Sequence, residues 1–410
     1  MMREPSASER AIEREQRYVA PNYRPLEVVL HRGEGEWLYD VEGKRYLDLM
    51  SAYSAVSHGH SHPRLVAALH EQARLLAVPS RAFRTDTLGP FLEELVTRCG
   101  LEMALPSNGG AEAVESAVKA VRRWGYRVKG IAPDRANIVV ARNNFHGRTT
   151  TVVSFSSDEE YRRDFGPLTP GFRWFDFGDE ASLAAAMDDE TCAVLIEPIQ
   201  GESGVLVPPE GFLRAARRLC DERRALLVLD EIQSGLGRTG RWFAFEHEGI
   251  RPDGLILGKA LGGGLLPVSA FVSTKEVLGL LLPGSHGSTF GGSALAAAVG
   301  LEALRVIEEE GLVERSAALG ETMLARLRAI QGSLPRPAIR AVRGRGLWAG
   351  VELDPAVADA RKVVERLAER GVLTKETHGT VIRFAPPLVI AEDALEWGLS
   401  VFAEVLSESR

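Results

Sequence analysis

"DGLILGKALGGG", Asp253 to Gly264, sets an apolar run, one lysine and three glycines in direct succession. The chain uses lysine sparingly: 7 Lys stand against 42 Arg. Arginine keeps its proton at any ordinary pH, whereas a buried lysine can become a neutral amine and form a Schiff base. A lysine kept at position 259 for its chemistry is one that arginine could not replace. The run before it is too short for a free-standing helix and has the composition of a strand buried on both faces.

Three similar runs precede it: "NIVVA" (137–141), "AVLIEP" (193–198) and "LLVLDE" (226–231). Between them lie segments with helical spacing, such as "GFLRAARRLCDERR" (211–224). This alternation predicts an α/β fold with a mostly parallel central sheet. Ligands of such sheets collect at the carboxyl ends of the strands. Here the runs end in Glu197, Asp230 and Lys259, with Arg148 a short loop beyond the first. One charge at a strand exit is ordinary, but four chemically capable groups converging from distant sequence predict a site.

A helix is expected after "PSNGG" (106–110), where Val114, Ala117, Val118, Val121 and Trp124 form one apolar face. Asn108 and the two glycines behind it predict a cap whose free N–H groups suit a phosphate. From about residue 296 the pattern changes to long amphipathic helices followed by "AVRGRGLWAGVEL" and "VIRFAPPL" as strands, which predicts a smaller α+β domain. The expected boundaries are 51–295 for a large domain and 296–410 for the small one. Residues 1–50, with a hairpin around Glu42-Gly43 in "WLYDVEGKRYLDL", are expected to pack with the small domain.

Composition narrows the function. The 410 residues are 45% hydrophobic and 26% charged, with a formal charge of −7 and no basic tract, so nucleic acid is not an expected partner. Cys99, Cys192 and Cys220 lie far apart without CxxC pairing, which points to a reducing compartment and a cytoplasmic protein. The first residues interleave Arg3, Arg10, Arg14 and Arg17 with Glu4, Glu9, Glu13 and Glu15, unlike a secretory or transit segment. No apolar run approaches the roughly 18 residues needed to span a bilayer.

Three chemistries can be tested against the residues. A P-loop fails on spacing, since the glycine it needs falls on Asp253 and the hydroxyl after its lysine on Ala260. A metal hydrolase has His58, His60 and His62 in "SHGHSHP", but no HxxxH motif among the other histidines, and Gly59 and Pro63 suggest a turn carrying hydrogen-bonded imidazoles. No metal is expected. Pyridoxal phosphate needs a lysine, a carboxylate for the pyridine nitrogen, a phosphate cradle and a ring to stack on. Lys259, Asp230, the "SNGG" helix start and Phe145 supply one candidate each.

With these residues in view, the chain resembles the class III, fold-type I pyridoxal-phosphate aminotransferases over about residues 18 to 400. The motifs are "SAYSAVSHGHSHP", "SRAF", "NNFHGRT", "FGPLTPGF", "IEPIQGESGV", "LDEIQSGLGRTGR", "LGKALGGG", "GSHGSTFGG" and "KETHGTVIRFAPPLVI". "PNYRPLEV", "AYSAV" and "THGTVIRFAPPLVI" place the resemblance in the ornithine-directed branch. It implies transfer of the δ-amino group of L-ornithine to 2-oxoglutarate, giving glutamate and glutamate 5-semialdehyde, which cyclises. Neighbouring branches take acetylornithine, 4-aminobutyrate or lysine. A fold retained only for binding is the remaining alternative.

The resemblance also assigns roles. Lys259 would bond the cofactor, Asp230 would pair with its pyridine nitrogen, Gln233 would contact its ring hydroxyl, and Phe145 would stack on one face. Gly109, Gly110 and Ala111 would offer backbone donors to the phosphate, with Ser288 and Thr289 reaching over from a second subunit of a homodimer. Arg148 would bind the ornithine carboxylate with Tyr23 and Tyr53 at the same end. Arg383 would take the 2-oxoglutarate α-carboxylate, covered by Glu202 until the keto acid arrives. "SNGG" and "FGGSALA" depart from the family's Asn-Thr-Gly and "FGGNPLA", leaving no hydroxyl at Gly109 and no proline at Ala294.

Overall fold

The computed structural model describes residues 4–408. Three antiparallel strands come first: β1 (Leu30–Glu34), β2 (Trp37–Asp40) and β3 (Arg45–Asp48). The expected hairpin joins β2 to β3, and Asp40 Oδ1 fixes its turn by accepting from the N–H groups of Glu42 (3.0 Å) and Lys44 (2.8 Å).

The central sheet follows, built from β4 (Met103–Ser107), β5 (Asn137–Ala141), β6 (Phe172–Phe175), β7 (Thr191–Ile196), β8 (Leu226–Asp230), β9 (Gly254–Leu257) and β10 (Ser269–Ser273). Its order is β4-β10-β9-β8-β7-β5-β6, and only β10 runs against its neighbours. The four runs that suggested buried strands are β5, β7, β8 and β9, every residue of which is buried.

Alternation of side chains sends each strand's residues to both faces. Ile138, Val140, Leu195, Val228 and Ile256 meet Val114, Val118, Val121 and Trp124 of the helix Gly110–Trp124 on one side. Val139, Val194, Leu227 and Leu229 join Phe212, Leu213, Ala216 and Leu219 of the helix Phe212–Glu222 on the other. Each such aliphatic side chain contributes about 1.5–3 kcal/mol on leaving water. Two covered faces leave only the strand ends open to a ligand.

The C-terminal part supplies β11 (Ile339–Gly344), β12 (Ala349–Leu353), β13 (Val372–Leu373), β14 (Lys375–Thr377) and β15 (Val381–Phe384). Four of these form the sheet β11-β12-β15-β14, while β13 pairs in parallel with β3, tying the first fifty residues to the C-terminal part. The helix Ala294–Glu309 starts without a proline, yet Ser293 caps it, its Oγ accepting from Ala296 N–H at 3.3 Å. Among the described residues no helix is long and apolar enough to cross a membrane.

Candidate active site

Parallel pairing of β8 with β9 sets Asp230 opposite Ile256, so the chain carries Lys259 out on the same sheet edge, three residues further along the neighbouring strand. Lys259 is a non-glycine residue in the left-handed region, φ 46°, a conformation that costs about 1–3 kcal/mol and persists where the surroundings fix it. Burial lowers its pKa, while Glu202, Asp230 and Glu197 pull upward and Arg383 downward. The lysine that the sequence singled out is therefore held as a more readily neutral amine among three carboxylates.

Asp230 is buried and accepts from the Ile232 N–H at 3.0 Å. Its other oxygen lies 2.7 Å from His146 Nδ1, beneath the loop that follows β5. Burial pushes His146 toward the neutral form, but the Asp230 hydrogen bond and charge, with Glu197, outweigh it and raise its pKa. Glu197, one residue past β7, accepts the Phe145 N–H at 3.0 Å and so fixes the backbone that carries the expected stacking ring. Burial pushes the Glu197 carboxyl up to about 7; His146 opposes this and Asp230 adds to it.

The helix Gly110–Trp124 begins at the end of β4 and points its N-terminus at the same edge. Asn108 does not cap it as expected: the Glu112 carboxylate turns back to the Asn108 N–H at 2.9 Å, and Gly109 has no side chain to offer. The N–H groups of Gly109, Gly110 and Ala111 have no acceptor among the described residues. A Cβ built on Gly109 would meet nothing within 4 Å, so the cradle is open. Ser288 Oγ lies 3.3 Å from Asn108 Nδ2 of its own chain. Thr289 lines a small recess with Ser80, Arg81 and Phe83.

Gln233 follows Asp230 by three residues and lies hard against Gly201, where an added Cβ would come within 2.1 Å of its Oε1. That Cβ would also come within 2.8 Å of the buried Trp348 ring, so a larger residue before Glu202 would force both side chains to shift. Glu202 Oε1 sits 2.6 Å from Arg383 Nη1, and the Arg383 guanidinium carbon lies 4.6 Å from the Tyr53 ring centre. Tyr23 is 80% exposed but acts electrostatically on Tyr53, whose hydroxyl pKa is raised chiefly by burial. Arg148 has no carboxylate partner among the described residues; its guanidinium lies 3.8 Å from the Tyr161 ring centre.

Tyr53 is held by an unusual turn. Ser51, Ala52, Tyr53 and Ser54 all have positive φ, 42°, 46°, 59° and 74°. Asp48 accepts from the N–H groups of Met50 and Ser51 at 2.8 Å each. The buried Arg238 donates to Ser51 Oγ (3.2 Å), Ser57 Oγ (3.0 Å), Leu347 O (2.9 Å) and Pro386 O (2.6 Å). The histidines nearby do not converge: His58 bonds Ala303 O, His60 bonds Asp48 and His62 faces Glu310.

The family description "Aminotransferase class-III" matches residues 18–406. The chain belongs to the class-III aminotransferases. An ornithine aminotransferase of Halalkalibacterium halodurans is 51% identical over 98% of this chain and 99% of its own. One of Bacillus subtilis is 51% identical over 98% of each. Among solved structures, an ornithine aminotransferase of Toxoplasma gondii superposes with TM-score 0.96 at 41% identity, covering 98% of this chain and 96% of that one. An acetylornithine aminotransferase of Elizabethkingia anophelis does so at 0.90 and 46%, covering 98% and 99%.

Class-III aminotransferases depend on pyridoxal phosphate, and this site fits it: the lowered lysine pKa, the buried Asp230 and the open cradle with three free donors are the groups it requires. His146, Tyr161 and Arg238 were not singled out by the sequence, whereas Glu197 was, at the exit of its strand. His146 lay inside "NNFHGRT" and Arg238 inside "LDEIQSGLGRTGR", which is the signal that could have marked them. Tyr161 carries no local signal and is found only through its contacts.

Proposed function

We propose that this aminotransferase moves the δ-amino group of L-ornithine to 2-oxoglutarate, releasing glutamate 5-semialdehyde and glutamate. The observation that carries this reading is the asymmetry of the two arginines: Arg383 is covered by Glu202 at 2.6 Å, while Arg148 has no carboxylate partner among the described residues. An amino acid entering the site meets one available cation. With its carboxylate on Arg148, its distal amine is left to react, and Tyr53 and Tyr23 offer hydroxyls to the α-amine.

When bound, pyridoxal phosphate supplies the electron sink for the C–H bond broken beside the transferred amine. Lys259 would bond it, Asp230 would hold its ring nitrogen protonated, with His146 fixing the carboxylate, and Gln233 and Phe145 would contact the ring. Gly109, Gly110 and Ala111 would donate to its phosphate. Lys259 Nζ takes the proton from the substrate carbon and returns it, a role suited to an amine whose pKa burial has lowered. In the second half-reaction the α-carboxylate of 2-oxoglutarate takes the place of Glu202 on Arg383.

The enzyme would act as a homodimer, with Ser288 and Thr289 also serving the phosphate site of the second subunit. Phe83 (71%), Phe165 (62%) and Phe290 (57%) are exposed beyond what an isolated subunit needs, which supports a covering partner. Cys99, Cys192 and Cys220 are free and buried, in keeping with a cytoplasmic enzyme. The test is a half-reaction of the cofactor-loaded protein, adding L-ornithine, N-acetylornithine or 4-aminobutyrate separately and following loss of the cofactor band. Faster bleaching by N-acetylornithine would replace ornithine as the substrate.

A further inference from the structure

We infer that Tyr161 is a positioning residue for carboxylate recognition, its ring holding the Arg148 guanidinium in the orientation that receives the substrate carboxylate. The inference rests on the reading of Arg148 as the carboxylate-binding group. Arg148 is itself exposed, has no carboxylate partner among the described residues, and carries several rotatable bonds. An unrestrained arginine there would bind a carboxylate only after losing that freedom. The Tyr161 face lies 3.8 Å from the guanidinium carbon, the distance of a close cation–π contact. Phe145 lies further off, 5.6 Å from the same carbon.

Tyr161 is itself braced. Phe145 meets it edge-on at 6.2 Å, and the Phe145 backbone is fixed by Glu197. Its hydroxyl pKa is raised by burial first, with Arg148 and Arg383 opposing and Glu202 and Asp158 adding, which sets the side chain among both carboxylate-binding groups. The helix that carries it, Glu159–Arg162, starts at Asp158, whose carboxylate accepts the Glu160 N–H at 2.9 Å. One short capped turn thus delivers a ring to the back of Arg148.

The experiment uses the cofactor-loaded enzyme and its Tyr161→Leu and Tyr161→Phe variants, each with L-ornithine and with 1,4-diaminobutane, which lacks a carboxylate. Tyr161→Leu is expected to raise KM for ornithine about three- to fivefold with kcat little changed, as loss of a cation–π contact to an exposed arginine implies. It should leave kcat/KM for the diamine unchanged, and Tyr161→Phe should restore most of the ornithine KM. In an Arg148→Ala background Tyr161→Leu should add nothing. Equal losses on both amines, failure of phenylalanine to rescue, or a full effect without Arg148 would each overturn the proposal. Should the unmodified enzyme ignore ornithine but accept 4-aminobutyrate, the substrate reading falls, and the same comparison on that ω-amino acid decides the role of Tyr161.

Discussion

The Glu202 carboxylate sits 2.6 Å from the Arg383 guanidinium, and that guanidinium faces the Tyr53 ring from 4.6 Å. Arg383 is 3% exposed, so the charge that Glu202 covers is a desolvated one. Removing the negative partner leaves a strong carboxylate receptor close to Lys259. Glu202→Gln is expected to let ornithine bind the wrong way round, so that 5-amino-2-oxopentanoate from α-transfer appears among the products. The apparent KM for 2-oxoglutarate should fall several-fold, because nothing need be displaced. Product analysis showing δ-transfer alone, with unchanged KM, would count against the gate.

The role proposed for Lys259 needs a neutral amine, which a residue that keeps only its charge does not supply. Lys259→Arg is expected to leave a folded protein with turnover reduced by more than about a thousandfold, since a guanidinium neither forms the bond to the cofactor nor shuttles a proton. Glu202, Asp230 and Glu197 around this buried position offset the charge that arginine, unlike lysine, cannot shed, so the protein should still fold, with some loss of stability. Ordinary turnover by this variant in a cofactor-loaded half-reaction would remove Lys259 from the chemistry.

The sheet was legible because its strands are buried on both faces, and such strands read as unbroken apolar runs: β5 is "NIVVA" and nothing else. Lys259, Asp230 and Glu197 were legible because strand ends in a parallel sheet share an edge. The pair of Glu202 with Arg383 spans 181 positions and was reached only through resemblance. Tyr161 escaped altogether, and Arg238 was quoted inside "LDEIQSGLGRTGR" without a role. Their significance lies in what they touch, a guanidinium face in one case and four oxygens from three distant segments in the other, and no local pattern encodes that. The left-handed turn at 51–54 was equally hidden, since serine, alanine and tyrosine do not announce positive φ.

Gly109 presents an opposite case, a position where the chain has less than its surroundings allow. Its φ of −79° and ψ of 152° suit any residue, and its missing Cβ faces open space. Gly109→Ser is expected to cap the helix Gly110–Trp124, stabilising it by a few tenths of a kcal/mol. The hydroxyl should also reach the phosphate cradle and tighten cofactor binding severalfold. Equilibrium titration of the cofactor-free protein with pyridoxal phosphate measures this. Weaker binding would show that the open space is needed by the phosphate itself.

Glu197 gives the clearest pH dependence. Burial raises its carboxyl from 4.5 to about 7, with Asp230 adding and His146 opposing. A folded pKa above the unfolded one means that the folded state holds the extra proton. The contribution is therefore complete below about pH 4.5 and is lost as pH rises through about 7, where the buried carboxylate must ionise. Glutamine keeps an oxygen for the Phe145 N–H while removing the titration. The Glu197→Gln variant of the cofactor-free protein should thus gain stability relative to the parent as pH rises from 5 to 8, with a slope of at most about 1.4 kcal/mol per pH unit. Urea unfolding of both proteins across that range measures the difference. Parallel curves would mean that Glu197 ionises freely and that its hydrogen bond to Phe145, not its burial, governs its charge.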